Sequence, residues 1–260
     1  MTDKPLVMRF AAMAGERLLA VDEERFPRES RSGSVEAPRG VAIIGLQGAL
    51  SNRGGMATFR ASLARAVANA EVGTIVLDVD SPGGTVAGTA ETAAAVAAAA
   101  DQKRVVAVAD SLMASAAYWI GAQASELVVS PSAEVGSIGV LAVHMDLSKA
   151  LEDFGIKTTI MRSTPFKAEG SPFEPLTEEA RASIMGSVGE AHEDFIRAVA
   201  AGRGVSLTKV REDFGQGRVV SAQKAVQVGM ADRVATMNDV LAGLMSGSRK
   251  PRRRSALAFA

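Results

Sequence analysis

The sequence predicts an α/β protein built on a mainly parallel sheet, and two features carry that expectation. Short continuous apolar runs, Val41–Leu46 (VAIIGL), Val72–Val79 (VGTIVLDV) and Lys103–Ala109, read as strands covered on both faces. Each is followed by a polar or glycine-bearing break and then by a segment of helical period or composition. At 260 residues the chain is long enough for one large domain or two small ones. With 47% apolar but only 4% aromatic residues, its core must be made of Ala, Val, Leu, Ile and Met.

In chain order, residues 1–38 mix charge with Pro, Ser and Gly and read as an N-terminal arm and linker. The body runs over 39–245, and 246–260 is a basic tail. After the first strand, Asn52-Arg53-Gly54-Gly55 is turn chemistry. Met56–Ala70 follows as a helix with Phe59, Leu63 and Val67 on one face. The second strand runs into Asp80-Ser81-Pro82-Gly83-Gly84 and then an Ala-rich helix, Val86–Ala100. The third strand precedes a polar break and a helix from Ser115 to Gln123. Glu126–Ser130 is a short strand, and Val135–Val140 is extended and punctuated by glycine, continuing to Met145. Leu147–Phe154 is a helix closed by Gly155, and Ile156–Met161 has strand composition. Ser163–Pro175 is a loop, and Thr177 caps a long helix, Glu178–Ala201. Helices Leu207–Phe214 and Ser221–Val228, a strand Met230–Val234 and a helix Asn238–Met245 complete the body.

Composition narrows the chemistry. There is no cysteine, which removes disulfides, thiolate metal sites and a cysteine nucleophile. Two histidines, His144 and His192, are too few for a histidine-rich metal site, so no metal and no cofactor are expected. Formal charge balances at zero, but five positive charges fall between Arg249 and Arg254, which leaves residues 1–248 at −5. Nucleic acid is therefore not an expected partner of the body, and only the tail could contact it. The first residues carry charge too early for a signal peptide, and no apolar run approaches the ~18 residues of a membrane span. The expectation is a soluble, cytoplasmic protein.

Four places could carry chemistry. Ser115 lies between Ala114 and Ala116 where a strand gives way to a helix. Its small neighbours leave room for substrate, and the first N–H groups of the helix can face a developing negative charge. A serine in a tightly packed Ala-rich helix would look the same. The Asp80–Gly84 stretch has two glycines between strand and helix, which suits an oxyanion hole, a phosphate nest or simply a tight turn. It lacks the spacing of nucleotide-binding loops. Lys167 sits among Pro165, Phe166, Pro172 and Phe173. A loop lysine is ordinarily solvated. A lysine that acts as a base must shed its proton near neutral pH, and burial among apolar groups favours that. Ser137, in Gly136-Ser137-Ile138-Gly139, is either a turn hydroxyl or a group that orients an amine.

Taken in order, these motifs resemble the signal peptide peptidase A family of Ser–Lys peptidases. They are Asp-Ser-Pro-Gly-Gly, Met113-Ala114-Ser115 with small residues and an aromatic at Tyr118, Gly136–Val140, and then a lysine. Within that group the chain is similar to the phage head-maturation (prohead) proteases. The Lys167–Phe173 loop carries that likeness, together with Ser221–Ala225 and Gly229–Asp232. The resemblance spans about residues 40–240 and implies a ClpP/crotonase-like spiral of β-β-α units.

It also implies roles. Ser115 would be the nucleophile, Lys167 the general base and Ser137 the group that positions the lysine amine. The N–H groups of Gly84, Gly83 and Ala116 would form the oxyanion hole. The implied activity is a serine endopeptidase that cleaves capsid or scaffold proteins during phage head maturation, working as a homo-oligomer in the prohead within host cytoplasm. Alternatives are a cytosolic bacterial peptidase of the same family, a crotonase-fold acyl-CoA enzyme, an inactive scaffold component, or a triad with His144 as base. Relatives commonly have Gly-Gly after the nucleophile, where this chain has Ala116-Ala117. A left-handed backbone would be costly for either alanine.

Overall fold

The computed structural model describes residues 38–246, so nearly all of the N-terminal arm and the basic tail lie outside the described residues. The described residues divide into two compact units, one formed by 38–139 with 192–246 and the other by 140–191.

The first unit is the α/β body. Its elements are β1 (Val41–Gln47), α1 (Gly55–Ala68), β2 (Thr74–Ser81), α2 (Thr89–Gln102), β3 (Arg104–Ala114), α3 (Ala116–Gly121), β4 (Glu126–Val129) and β5 (Glu134–Gly136). After 192 come the C-terminal part of a long helix numbered α5 (Glu178–Arg203), α6 (Leu207–Asp213), β6 (Val219–Ser221), α7 (Ala222–Val228), β7 (Arg233–Val234) and α8 (Met237–Met245). The strands form one sheet in the order β1-β2-β3-β4-β7, with β5 beside the end of β3 and β6 beside β5. Every pairing is parallel except β5 with β6.

Both faces of that sheet are covered, which is why its strands read as unbroken apolar runs. Ile75, Leu77, Val105, Ala107 and Leu127 point into the larger core, with Met56, Phe59 and Leu63 of α1 and Val96 of α2. Val76, Val106, Val108 and Val128 point the other way, onto Val240 and Leu241 of α8. Alternate residues of one strand therefore serve two cores. Three charged residues tie adjacent strands: Arg104 of β3 and Arg233 of β7 each donate to Glu126 of β4, at 2.8 and 2.7 Å. Arg203, at the end of α5, makes a two-pronged pair with Asp232 at 3.0 Å on each arm, and Asp232 also accepts the N–H of Leu127.

The second unit, 140–191, contains α4 (Ser148–Asp153) and the first part of α5. The glycine closure of α4 is as expected: Gly155 (φ 73°) donates to Glu152, and Ile156 to Leu151. Thr177 caps α5 by accepting the N–H of Ala180 at 3.1 Å.

Three elements differ from expectation. Ile156–Met161 forms no strand among the described residues, because strand composition makes a strand only where a sheet edge is available to pair with. Strand β6 is too short for its period to show in the sequence. Strand β3 does not stop at Ala109 but continues to Ala114, with consequences for the site.

The Glu126 cluster gives a pH prediction. Burial pushes its carboxyl upward, but the hydrogen bonds from Arg104 and Arg233 outweigh this and hold it below the usual glutamate range. The stabilisation is thus fully present above the ordinary glutamate value and is lost as pH falls through the lower folded value. The stability advantage of wild type over Glu126→Gln, measured by urea unfolding, should stay level from neutral pH down to about 5.5 and shrink below about 4.5.

Candidate active site

The site begins with an irregularity in β3. In its register with β2, Val79 faces Ala109 and Ser81 faces Met113, so Asp110, Ser111 and Leu112 stand opposite the single residue Asp80. The Ser111 hydroxyl is bonded to the Asp80 carboxylate across this bulge. A bulge bends its strand. Below it β3 pairs with β4, and beyond it Leu112–Ala114 pair instead with β5.

Ser115 is the next residue, and its backbone is left-handed, at φ 51° and ψ −125°. A non-glycine residue held there stores roughly 1–3 kcal/mol of strain. Two bonds hold it, Ser115 N–H to Gly136 O at 2.8 Å and Trp119 N–H to Ser115 O at 3.0 Å. A serine on a strained strand-to-helix turn presents its hydroxyl outward, in the manner of a nucleophile elbow. Ser115 is partly exposed, whereas every residue of α3 behind it is buried. Ala116 and Ala117 are ordinary helix, because the positive φ falls on Ser115 itself.

The glycine pair lies against this turn. A Cβ on Gly83 (φ 101°) would sit 2.7 Å from Ser115 Cβ and 2.9 Å from Ala116 N. A Cβ on Gly84 would sit 1.9 Å from Leu50 O. Neither position admits a side chain. Gly83 O accepts from Leu50 N at 2.8 Å, and Thr85 N donates to Leu50 O at 2.9 Å. In a trans peptide the N–H points opposite to the carbonyl. With Gly83 O aimed at Leu50, the Gly84 N–H is aimed away from it. The Gly83 N–H is already committed to Ser81 Oγ at 3.1 Å.

Ser137 (φ 53°) follows Gly136, just as Ser115 follows Ala114, and Ala114 and Gly136 are register partners. Its N–H donates to Arg218 O at 2.9 Å. Ser115, Ser137, Gly83, Gly84 and Ala116 thus gather at the carboxyl ends of β2, β3 and β5, the end of a parallel sheet where ligands bind.

Lys167 belongs to the other unit, where Lys167 N–H donates to Thr164 O in a tight turn. It is exposed, as are Phe166 and Phe173, so the apolar flanks seen in the sequence do not enclose it. His144 lies in the same unit with Nε2 3.1 Å from Ser171 O. Among the described residues no helix is long and apolar enough to cross a membrane. The sequence marks the Asp80–Gly84 stretch for its glycines but gives no separate part to Asp80 or Ser81, and it does not mark Ser111. A signal for Ser81 was present: the strand period puts it on the inward face with Leu77 and Val79, where a hydroxyl needs partners.

A strained serine thus lies beside a close-packed double glycine at the end of a parallel sheet. The chain belongs to Peptidase family S49, whose sequence profile matches residues 97–250. It is similar to capsid assembly protease C of Escherichia phage lambda, 31% identical over 225 residues, covering 83% of this chain and 50% of that protein. It is also similar to the head-tail preconnector protein GP5 of Enterobacteria phage P21, 30% identical over 235 residues, covering 86% of this chain and 46% of that one. The chain thus spans about half the length of these curated relatives. Among solved structures, the ClpP protease catalytic domain from Plasmodium falciparum aligns at a TM-score of 0.49 and 14% identity, covering 75% of this chain and 85% of that one.

The glycine geometry is open to a direct check. Gly84→Ala should lower stability by about 2 kcal/mol in urea unfolding, as overpacking against backbone does. Gly243→Ala, whose added methyl meets nothing within 4 Å in α8, should not destabilise.

Proposed function

We propose that the protein is a serine endopeptidase with a Ser115–Lys167 dyad, cleaving capsid or scaffold proteins during phage head assembly. The observation that carries the reading is the left-handed backbone of Ser115 packed on the Gly83–Gly84 loop. Membership of Peptidase family S49 and the names of the phage relatives support it.

In this mechanism the Ser115 hydroxyl attacks the scissile carbonyl while Lys167, as a free amine, takes its proton. The new oxyanion accepts from Gly84 N–H and Ala116 N–H. Lys167 then passes the proton to the departing amine, leaving an acyl-serine. A water, deprotonated by the same lysine, releases the product and restores the hydroxyl. Ser137 aims the lysine amine. Gly83 contributes by letting the loop approach Ser115, since its own N–H is taken by Ser81.

The working form is a homo-oligomer. The 140–191 unit leaves Val143, Phe154, Met161, Phe166 and Met185 more than half exposed, a concentration of apolar surface that solvent alone does not favour. Covering it with a second copy would also remove water from the Lys167 turn, which a lysine base requires.

The test is hydrolysis of labelled casein and of a co-expressed capsid protein, with cut sites read by mass spectrometry. Ser115→Ala and Lys167→Met should each lose at least about 10³-fold in kcat, as removal of nucleophile or base does. His144→Gln should stay within about threefold of wild type. Activity that survives Ser115→Ala, or that vanishes only with His144→Gln, would overturn the dyad.

A further inference from the structure

We infer that Ser81 is a positioning residue for the oxyanion site: its hydroxyl sets the Gly83 amide, and through it the direction of the Gly84 N–H beside Ser115. The inference rests on the serine-peptidase reading above.

Ser81 ends β2, has no exposed surface, and shares its face with aliphatic residues. A hydroxyl there costs stability unless both its functions are satisfied. Both are, and by loop backbone: it donates to Gly48 O at 2.7 Å and accepts from Gly83 N–H at 3.1 Å. The same two segments are laced by Gly48 N–H to Asp80 O, Leu50 N–H to Gly83 O, and Thr85 N–H to Leu50 O. Within that lacing, Ser81 alone holds the Gly83 N–H, and Leu50 holds the Gly83 carbonyl.

The consequence follows from what glycine is. Gly83, at φ 101° and followed by another glycine, has more accessible backbone states than any other residue type. Pinned at both N–H and carbonyl, it has one. If the hydroxyl is removed, the Gly83 N–H becomes a buried orphan, and the loop gains a reason to turn. The Leu50 N–H would then be the one remaining hold in that lacing on the Gly83–Gly84 peptide, and a turn that breaks it would exchange the positions of that peptide's N–H and carbonyl. Ser115 would then face a carbonyl oxygen, which repels the tetrahedral anion that the N–H would have stabilised. Ser81 touches no substrate in this account. It keeps a flexible peptide facing one way before substrate arrives.

The experiment compares wild type, Ser81→Ala and Ser81→Thr on labelled casein, with a peptide aldehyde as inhibitor because its hemiacetal oxygen occupies the oxyanion position. Ser81→Ala should lose at least about tenfold in kcat with KM within about threefold, and should bind the aldehyde weaker by a similar factor. Ser81→Thr keeps the hydroxyl and should recover kcat. A folded Ser81→Ala with wild-type kcat and aldehyde affinity overturns the inference, as does a folded Ser81→Thr as impaired as the alanine variant. Should neither variant fold, amide hydrogen exchange on wild type decides. The Gly83 amide should be protected with and without aldehyde, while the Gly84 amide becomes protected only in the adduct. A rapidly exchanging Gly83 amide overturns the inference. Inert wild-type protein, or casein hydrolysis undiminished in Ser115→Ala, removes the peptidase reading instead and is distinguished by that pattern.

Discussion

The left-handed turn at Ser115 persists only because its surroundings leave the backbone no cheaper path. On the strand side, the bulge opposite Asp80 turns the end of β3 from β4 to β5, and Gly136 accepts the Ser115 N–H. On the helix side, α3 is wholly buried and anchored at several points. Trp119 stacks on Phe195 of α5 at 4.7 Å between ring centroids. Gln123 donates to Ala198 O of the same helix, and the Tyr118 hydroxyl donates to Met230 O. Relaxing the serine would mean moving a core helix, and a close-packed interior resists that by far more than the strain at one residue.

The polar groups around that helix follow the same logic. Burial pushes the Tyr118 phenol well above its ordinary range, so it remains a neutral donor at any pH the protein meets. Arg203 is almost fully buried, and its charge is balanced by Asp232 in a two-pronged pair. Asp232 also accepts the Leu127 N–H, and Arg203 donates to the Gly229 carbonyl. These bonds join the ends of α5 and α7 to the start of β4, behind the serine rather than beside it. Removing one partner of such a pair would leave the other charge buried and uncompensated.

The two units divide the candidate chemistry unequally. Ser115, Ser137 and the glycines are properties of the sheet unit, determined by strand register and close packing. Lys167 lies on an exposed turn of a unit in which large apolar side chains face outward. The proposed dyad therefore pairs a nucleophile set by packing within the sheet unit with a base carried on an exposed turn.

The sequence by itself determined the α/β class, since continuous apolar strands and amphipathic helices are periodicities that local composition must satisfy wherever the chain goes. It also marked Ser115, Gly83 and Gly84, small residues where a strand gives way to a helix, and Ser137 in a glycine-punctuated stretch, because such patterns are written locally. Only the tertiary structure decided that Ser115 rather than Ala116 takes the left-handed angles, that the Ser81 hydroxyl is spent on Gly48 O, and that Ile156–Met161 finds no partner strand among the described residues. Each of those depends on which backbone group from a distant segment arrives alongside. Hydrogen-bond partners far apart in the chain leave no period in the sequence, so they become visible only when the sheet is assembled.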